Sequence, residues 1–336
     1  EEILDDNKIE IKINIFESEK ILVERINITG NNVTNEDVIR SELLLDEGDP
    51  FTNLGLEKSI SKIKARNLFG KVDRTVKDGS SKDEKIIDIS VEEKPTGEVA
   101  AGAGVGTDGG SFSFSIKENN YLGSGVSVAG FTEVNENSFK GEISVNNPNY
   151  NDTGNGLNFS VASITNDEPD SGYENSIIST SVGLRVEQFE RIYFKPSLSF
   201  TSDKLDVQST ASEKLKKQAG TFNELLFGYG YIYDNRDKPY LPTDGFISTF
   251  SQQLPMYAEA PFIKNTFKFT KYETLTEDFI GSVKLLFSAI NPISDEDVRL
   301  SKRLTLPRDR LRGFQRGRVG PKDGNDFIGG NYAATM

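Results

Sequence analysis

Apolar and polar side chains alternate through most of the C-terminal part of the chain. Phe112, Phe114 and Ile116 alternate with serines, and comparable runs occupy residues 178–187 and 279–289. A period of two residues predicts β-strands that each have one apolar and one polar face. Each run has about ten residues, roughly the length that a tilted strand needs to cross a bilayer.

About twelve such strands are predicted, each bounded by turn-forming residues. They lie near 97–107, 109–118, 124–134, 138–147, 156–166, 175–187, 191–203, 221–234, 245–254, 262–275, 278–290 and 326–336. Alternation alone fits a soluble β-sandwich as well as a membrane barrel with a wet lumen. The run length and the tyrosines near strand ends favour the barrel. One set of side chains should then face outward, namely Phe112, Phe114, Val182, Leu184, Val283, Leu285 and Phe287. The opposite set, with Lys117, Arg185 and Lys284, should face inward.

A different pattern precedes residue 95 and predicts a small α+β domain over 20–94. Its expected elements are a strand at 21–28, a helix from a Thr34 N-cap to about Leu45, a second helix after Pro50, and strands near 71–77 and 85–92. Residues 1–19 are interpreted as the end of a preceding similar domain, and 95–336 as a partial barrel. The chain starts without an initiator Met or signal-like segment and ends within an apparent strand. We therefore expect a fragment that lacks both ends, with its first and last barrel strands unpaired to each other.

Composition removes several function classes. The chain contains neither Cys nor His, which excludes a disulfide framework, a zinc hydrolase and a Ser-His-Asp enzyme. We predict a protein that is not an enzyme and that uses no metal or cofactor. The net charge of −13 argues against nucleic acid as a partner. The mean hydropathy of −0.46 is low, but barrel strands hide their apolar half by alternation.

The longest predicted connection, residues 291–325, is strongly cationic and contains Leu311, Arg312, Gly313 and Phe314. A charged loop of this length is either a solvated surface or a segment folded into the lumen. In the second case an arginine fork can bind a carboxylate bidentately. The loop motif therefore is a candidate site, with both interpretations open.

Two further segments carry unusual residues. The turn from Asp234 to Gly245 is expected to be rigid, with Asp234, Arg236 and Asp237 forming an ion-pair network. The first barrel strand contains Gly102, Gly104 and Gly106, and glycine weakens strand pairing. Such a strand either opens its hydrogen bonds or is crowded by a neighbour.

The order of these motifs is distinctive. Residues 119–125 and 147–150 form turns, the 234–245 turn reads Asp-x-Arg-Asp followed by Pro-x-x-Gly, and the Arg-Gly-Phe motif precedes Val319-Gly320-Pro321 and Ile328-Gly329-Gly330-Asn331. With the 20–94 domain in front, nearly the whole chain resembles the BamA family of outer-membrane protein assembly factors, whose periplasmic modules are called POTRA domains.

The resemblance implies an α+β POTRA domain followed by an antiparallel transmembrane β-barrel, of which this chain holds the first ~12 of about sixteen strands. It implies a location in the bacterial outer membrane with the POTRA domain in the periplasm. The implied function is insertion and folding of outer-membrane proteins. The implied partners are unfolded clients, outer-membrane lipids and lipoprotein subunits of the assembly machinery.

The resemblance also implies roles for the candidate residues. Arg312 would reach an acidic partner on a strand beyond residue 336, and the glycine-rich first strand would form one side of a lateral gate. Two alternatives remain open. One is a sister translocator, either a TamA-type assembly factor or a two-partner secretion pore, which shares the Arg-Gly-Phe loop. The other is a soluble β-sandwich adhesin.

Overall fold

The structure is a computed structural model of the 336-residue chain. It describes residues 2–4, 8–10, 20–106, 109–238, 240–307, 310–311, 313–314 and 317–336. The chain divides into two compact units, Glu1–Pro95 and Thr96–Met336. Among the described residues, no helix is both long and apolar enough to cross a membrane.

The first unit has seven elements in the described residues. They are β1 (Glu2–Leu4), β2 (Lys8–Glu10), β3 (Leu22–Thr29), α1 (Glu36–Arg40), α2 (Asn53–Ala65), β4 (Phe69–Asp78) and β5 (Glu84–Glu93). β1 and β2 pair with each other, while β5 lies at the centre of a second sheet, parallel to β3 and antiparallel to β4. The predicted order of strand, two helices and two strands is confirmed over residues 20–94.

The first helix is shorter than predicted, and Thr34 is not its cap. α1 begins after Asn35 and ends at Arg40. Thr34 is buried, and its N–H donates to the carboxylate of Glu93, which ties the chain before α1 to the end of β5. α2 is capped by Thr52, whose hydroxyl accepts from the N–H of Gly55.

The core of this unit lies between the sheet and the helices. Leu56, Ile60 and Ile63 recur at helical spacing on α2 and are buried against Ile87 and Ile89 of β5. The spacing places the three side chains on one face of the helix, which covers the sheet.

Glu93 fixes the chain ahead of α1 by accepting three backbone hydrogen bonds. Its carboxylate oxygens lie 3.0 Å from the N atoms of Asn32 and Val33 and 2.6 Å from that of Thr34. Burial opposes ionisation, but hydrogen bonds from these residues outweigh it and lower the pKa of Glu93 below its ordinary value of 4.5. Such a carboxylate stabilises the fold fully above its unfolded pKa, and the contribution is lost as pH falls through the lowered one.

Glu93→Gln is therefore expected to loosen this segment at neutral pH. The neutral amide is a weaker acceptor, and a charge-assisted bond contributes about 1–3 kcal/mol. Hydrogen exchange at the amides of Asn32, Val33 and Thr34 should accelerate, while exchange along β5 stays as in the wild type. Unchanged exchange at pH 7 would contradict the role of the carboxylate. The difference between the two proteins should shrink below about pH 4.

The second unit is built on one antiparallel sheet of thirteen strands. They are β6 (Gly97–Gly106), β7 (Gly109–Glu118), β8 (Ser127–Asn135), β9 (Ser138–Tyr150), β10 (Asn155–Glu168), β11 (Tyr173–Phe189), β12 (Ile192–Phe194), β13 (Ser197–Val207), β14 (Gly220–Asp234), β15 (Gly245–Ala258), β16 (Phe262–Thr276), β17 (Phe279–Pro292) and β20 (Tyr332–Thr335). A short helix, α3 (Glu213–Lys216), lies between β13 and β14, and a separate hairpin is formed by β18 (Lys322–Asp323) and β19 (Asp326–Phe327).

Two of the predicted strands differ from the structure. The seventh is divided into β12 and β13, which both pair with β11 and β14. The division falls at Pro196, which has no N–H to donate to a ladder, although its carbonyl still accepts from Leu184 at 2.9 Å. The last predicted strand, 326–336, is reduced to β20, because residues 326–327 pair with 322–323 instead.

The ends of the sheet are β6 and β20. In the described residues the pairing runs from β20 through β17 to β6 without a pairing between the two end strands. The predicted gap between residues 97–107 and 326–336 is confirmed for the described part of these ranges, residues 97–106 and 326–336. Each end strand therefore presents one row of backbone groups outside the ladders of this sheet.

The two faces of the sheet have opposite character. Paired residues lie on the same face, and the row through Val145, Phe159, Val182 and Leu198 is apolar. The neighbouring row through the serines 144, 160, 181 and 199 is polar and lies on the other face. Phe112 and Phe114 remain 69% and 47% exposed. The predicted alternation is confirmed, and within the described residues the apolar face is not packed against a second sheet as a β-sandwich would require.

Candidate functional site on the polar face of the sheet

The long connection between β17 and β20 lies against the polar face. Val298 of the connection is buried in one cluster with Leu226, Phe262 and Ile290 of three different strands, and Leu304 packs against it. The nearby Leu300 is buried in a second cluster with Leu205, Ala211 and Leu215. The described residues 298–304 are therefore fixed to the sheet by apolar contacts at two places.

A cluster of buried charges lies between these two contacts. Glu224 of β14 is fully buried, and its carboxylate faces two cations of the connection. The Nζ atom of Lys302 is 2.8 Å from Oε2 of Glu224, and the guanidinium of Arg299 contacts Oε1. The same guanidinium lies over the ring of Phe222, with 4.0 Å between its central carbon and the ring centroid.

A second buried carboxylate adjoins this cluster. Asp203 of β13 accepts hydrogen bonds from the hydroxyl of Ser301 at 2.7 Å and from the amide of Asn175 at 3.3 Å. The backbone N–H of Leu300 donates to the amide oxygen of Gln218 at 2.8 Å. Three consecutive residues of the connection, 300–302, thus bind polar groups of the sheet or of its neighbouring connection.

The buried charges carry an energetic cost. Removing one ion from water costs several kcal/mol, and a buried pair only partly recovers it. A well-packed apolar substitute is often equally or more stable. We interpret Glu224, Arg299 and Lys302 as groups that determine where the connection lies, more than as a source of stability.

The connection is also tied to the strand connections at one end of the sheet. Arg318 binds Asp170 through two nitrogens, at 2.7 and 2.8 Å, and this pair lowers the pKa of the Asp170 carboxyl below its ordinary value. The hydroxyl of Ser212 donates to Asp323 at 2.8 Å. Residues 318–323 are therefore held by the connections that follow β10 and β13.

The predicted loop motif falls between these two sets of contacts. Arg312 lies outside the described residues. Gly313 has a φ of +84° with no heavy atom within 4 Å of an added Cβ. Phe314 is 59% exposed. The structure thus places the described neighbours of Arg312 in a turn near the surface of the unit.

The turn between β14 and β15 is fixed by two adjacent groups of bonds. Nε and Nη2 of Arg236 donate to the two carboxylate oxygens of Asp234 at 2.7 and 2.6 Å. Asp237 accepts from the hydroxyl and N–H of Thr243, at 2.7 and 2.9 Å, and from the N–H of Asp244 at 3.1 Å. Hydrogen bonding by Thr243 lowers the pKa of Asp237 well below its ordinary value, so the carboxylate stays ionised in mild acid.

Gly245 closes this turn in a backbone conformation that other residues rarely adopt. Its φ is +93°, and an added Cβ would overlap the carbonyl oxygen of Asn235. Gly245→Ala is expected to lower stability by roughly 2–3 kcal/mol, because backbone strain and the steric conflict add. The matched control is Gly154→Ala, at a φ of +73° with open space around the added Cβ. Gly154→Ala should lower stability only through the backbone conformation, by about 1 kcal/mol. The unfolding midpoint of each variant is measured by heat-modifiable gel mobility as a function of temperature. Equal midpoints for the two variants would contradict the steric argument.

Steric crowding does not explain why β6 has glycine at positions 102 and 104. An added Cβ at Gly102 would lie 2.8 Å from the hydroxyl of Ser113, and one at Gly104 would lie 3.3 Å from that of Ser111. Both neighbours are ends of flexible side chains, which can rotate away. Gly106 pairs with Gly109 at the end of the strand. Crowding at Gly102 and Gly104 is therefore not required to explain these glycines, and the opening of β6 stays a prediction.

Sequence reasoning missed the buried cluster. Lys302 belonged to the predicted cationic stretch, but Glu224, Asp203 and Arg299 had not been singled out. A weak signal was present: Glu224 is the one acidic residue in the otherwise apolar or aromatic run 224–233. Alternation places Glu224 on the polar face, but only the fold brings residue 299 to it.

Comparisons with known proteins agree with this architecture. An Omp85 superfamily domain matches residues 120–336, and a POTRA family model, a surface antigen variable number repeat, matches 21–94. The outer membrane protein assembly factor BamA of Neorickettsia risticii is 26% identical over 97% of this chain and 45% of its own length. The chain spans less than half the length of this relative and of a second BamA, that of Nitratidesulfovibrio vulgaris, which is 25% identical over 99% of the chain.

Solved structures match as well. BamA from Haemophilus ducreyi lacking POTRA domains 1–3 superposes with a TM-score of 0.78 at 22% identity, over 94% of this chain and 66% of that chain. CdiB from Acinetobacter baumannii gives a TM-score of 0.54 at 12% identity, over 88% and 57% of the two chains. These similarities concern the fold.

The fold is thus a POTRA domain followed by a large antiparallel sheet of the kind found in outer-membrane β-barrels. The Omp85 match covers well over half of the residues. The chain belongs to the Omp85 superfamily.

Proposed function

We propose that the protein containing this chain inserts and folds β-barrel proteins in the bacterial outer membrane, without covalent chemistry. Residues 20–94 would be its last POTRA domain, in the periplasm, 1–19 the end of a preceding one, and 95–336 the membrane part. The observation that carries the proposal is a POTRA domain joined to an antiparallel sheet of the Omp85 kind whose apolar face is exposed, with glycines in its first strand, β6.

The proposed mechanism is exchange of strand pairing. Backbone groups without partners cost several kcal/mol each in hydrocarbon, so an open strand edge in a membrane demands a partner. An incoming client strand can supply the same hydrogen bonds, which makes the exchange nearly neutral without nucleotide hydrolysis. The edge strands β3 and β4 of the POTRA sheet offer the same kind of edge to an extended client segment. Unfolded clients, lipids and lipoprotein subunits of an assembly machinery are the proposed partners.

Reconstitution of the full-length protein tests this function. Purified protein in liposomes of outer-membrane-like composition should accelerate folding of a small urea-unfolded barrel client, measured by heat-modifiable gel mobility. Liposomes without the protein give the background rate. Client folding at the background rate would overturn the proposal.

A sister translocator is the second candidate, favoured by the similarity of the sheet to CdiB. A two-partner secretion pore would pass an extended polypeptide through its lumen instead of releasing a client into the bilayer. Protease protection in the same liposomes separates the two: a translocated chain ends inside the vesicle, and an assembled barrel ends in the membrane.

A further inference from the structure

We propose that Glu224, Arg299 and Lys302 form a positioning site that holds the long connection on the polar face in one register. The site lies apart from the Arg-Gly-Phe motif but sets the place from which that motif acts. Its consequence for client assembly rests on the proposed function. The anchoring itself does not.

Local geometry brings the two cations together. Residues Leu300–Lys302 form a single 3₁₀ turn, and Arg299 is its N-terminal flanking residue. The N–H of Lys302 donates to the carbonyl oxygen of Arg299 at 3.0 Å, so this turn brings the two residues next to each other. One carboxylate, that of Glu224, can therefore receive both.

Burial makes the site specific. Glu224 is 0% exposed and Arg299 is 4% exposed, so a misplaced connection would leave an uncompensated charge without water. The flanking apolar contacts of Val298 and Leu300 are non-directional and tolerate sliding. The charged contacts do not, and they thus select one register among the possible ones.

The site also bounds the motif on one side. The Glu224 site holds the connection at residue 302, and the Arg318–Asp170 pair holds it again at residue 318. Leu311, Gly313 and Phe314 lie between these two points along the chain, so the connection is attached to the unit on both sides of them. The Arg318–Asp170 pair is about half exposed and contributes little by itself, which leaves the buried site as the principal restraint.

Cysteine accessibility tests the anchoring directly: residues 1–336 contain no Cys, and any Cys elsewhere in the full-length protein is first replaced by Ser. Val298→Cys in the full-length protein places a reporter at a position that is 3% exposed. In the wild-type background we expect slow labelling by a bulky maleimide. Glu224→Gln should make labelling about tenfold faster, because the connection opens locally more often. The matched control is Glu213→Gln, an exposed carboxylate paired with Lys216, which should leave labelling unchanged.

A second variant is used if Glu224→Gln does not fold. If Glu224→Gln shows no heat-modifiable mobility, Lys302→Met replaces it, since Met keeps most of the length of the side chain and Arg299 still neutralises Glu224. Faster labelling should follow again, and Glu224→Asp should restore part of the protection. Labelling of either folded variant at the wild-type rate would overturn the proposal.

The effect of the same variants on client folding is measured in a separate assay. A released connection, seen as faster labelling, should be accompanied by slower client folding in liposomes. Faster labelling with unchanged client folding would refute the positioning role in assembly. If the wild-type protein itself fails to accelerate client folding, the proposed function is wrong, while the labelling result still decides the anchoring.

Discussion

Arg312→Ala in the full-length protein is expected to slow client folding more than tenfold, the largest effect of a single change in the loop. The family resemblance implies that this arginine binds an acidic partner, and losing one member of a buried charged pair costs about 3–5 kcal/mol. The partner would then remain buried without a counter-charge. The rate of client folding in liposomes, with heat-modifiable mobility as the check on folding, measures the effect.

Arg318→Ala is the comparison within the same loop. Its pair with Asp170 is bidentate but about half exposed, and exposed pairs contribute at most about 1 kcal/mol. A severalfold effect at most is expected. Lys58→Ala, at an exposed position of α2, serves as the neutral control. Equal losses for Arg312→Ala and Arg318→Ala would contradict a special role for the motif.

Strengthening the end strand is expected to raise stability and lower activity together. In Gly102→Thr with Gly104→Thr, each change replaces the least favourable strand residue by a β-branched one, worth about 0.5–1 kcal/mol. The two changes should raise the unfolding temperature by a few degrees. Since opening β6 is the proposed step, client folding should slow by about tenfold, the equivalent of the added 1–2 kcal/mol.

Gly183→Thr is the control for that pair. It lies on the polar face within β11, and an added Cβ there meets its neighbours at an ordinary 3.5 Å. It should stabilise the sheet similarly and leave client folding unchanged, because β11 is paired on both sides. A slower rate in this control, or an unchanged rate in the double variant, would mean that the glycines of β6 are not part of a gate.

The alternation of side chains was enough to predict the sheet. A period of two residues fixes the face on which each side chain lies, whatever the strand pairs with. Phe112 and Phe114 could therefore be assigned to the apolar face from the sequence. The chain order of a meander also follows, because consecutive antiparallel strands are neighbours.

Local exceptions were harder to predict. Pro196 divides a stretch that the sequence pattern predicts as one strand. Its side chain fits the alternation of apolar and polar residues, but its missing N–H does not fit the hydrogen-bond ladder. Thr34 has the sequence signature of a helix cap but is held by Glu93, a residue 59 positions away. Both outcomes depend on hydrogen-bond partners that the local pattern does not specify.

The sequence by itself determined the two-part organisation, the faces of the strands, the loop motif and the absence of Cys and His chemistry. These properties depend on residue type and short-range periodicity. Only the tertiary structure decided that Glu224 meets Arg299 and Lys302, that Arg318 meets Asp170, and that Gly102 and Gly104 face rotatable serine side chains. The physical reason is distance along the chain. The charged partners are 75 to 148 positions apart along the chain, and the space at the glycines depends on side chains of the neighbouring strand. Only the pairing register of the sheet brings these groups together.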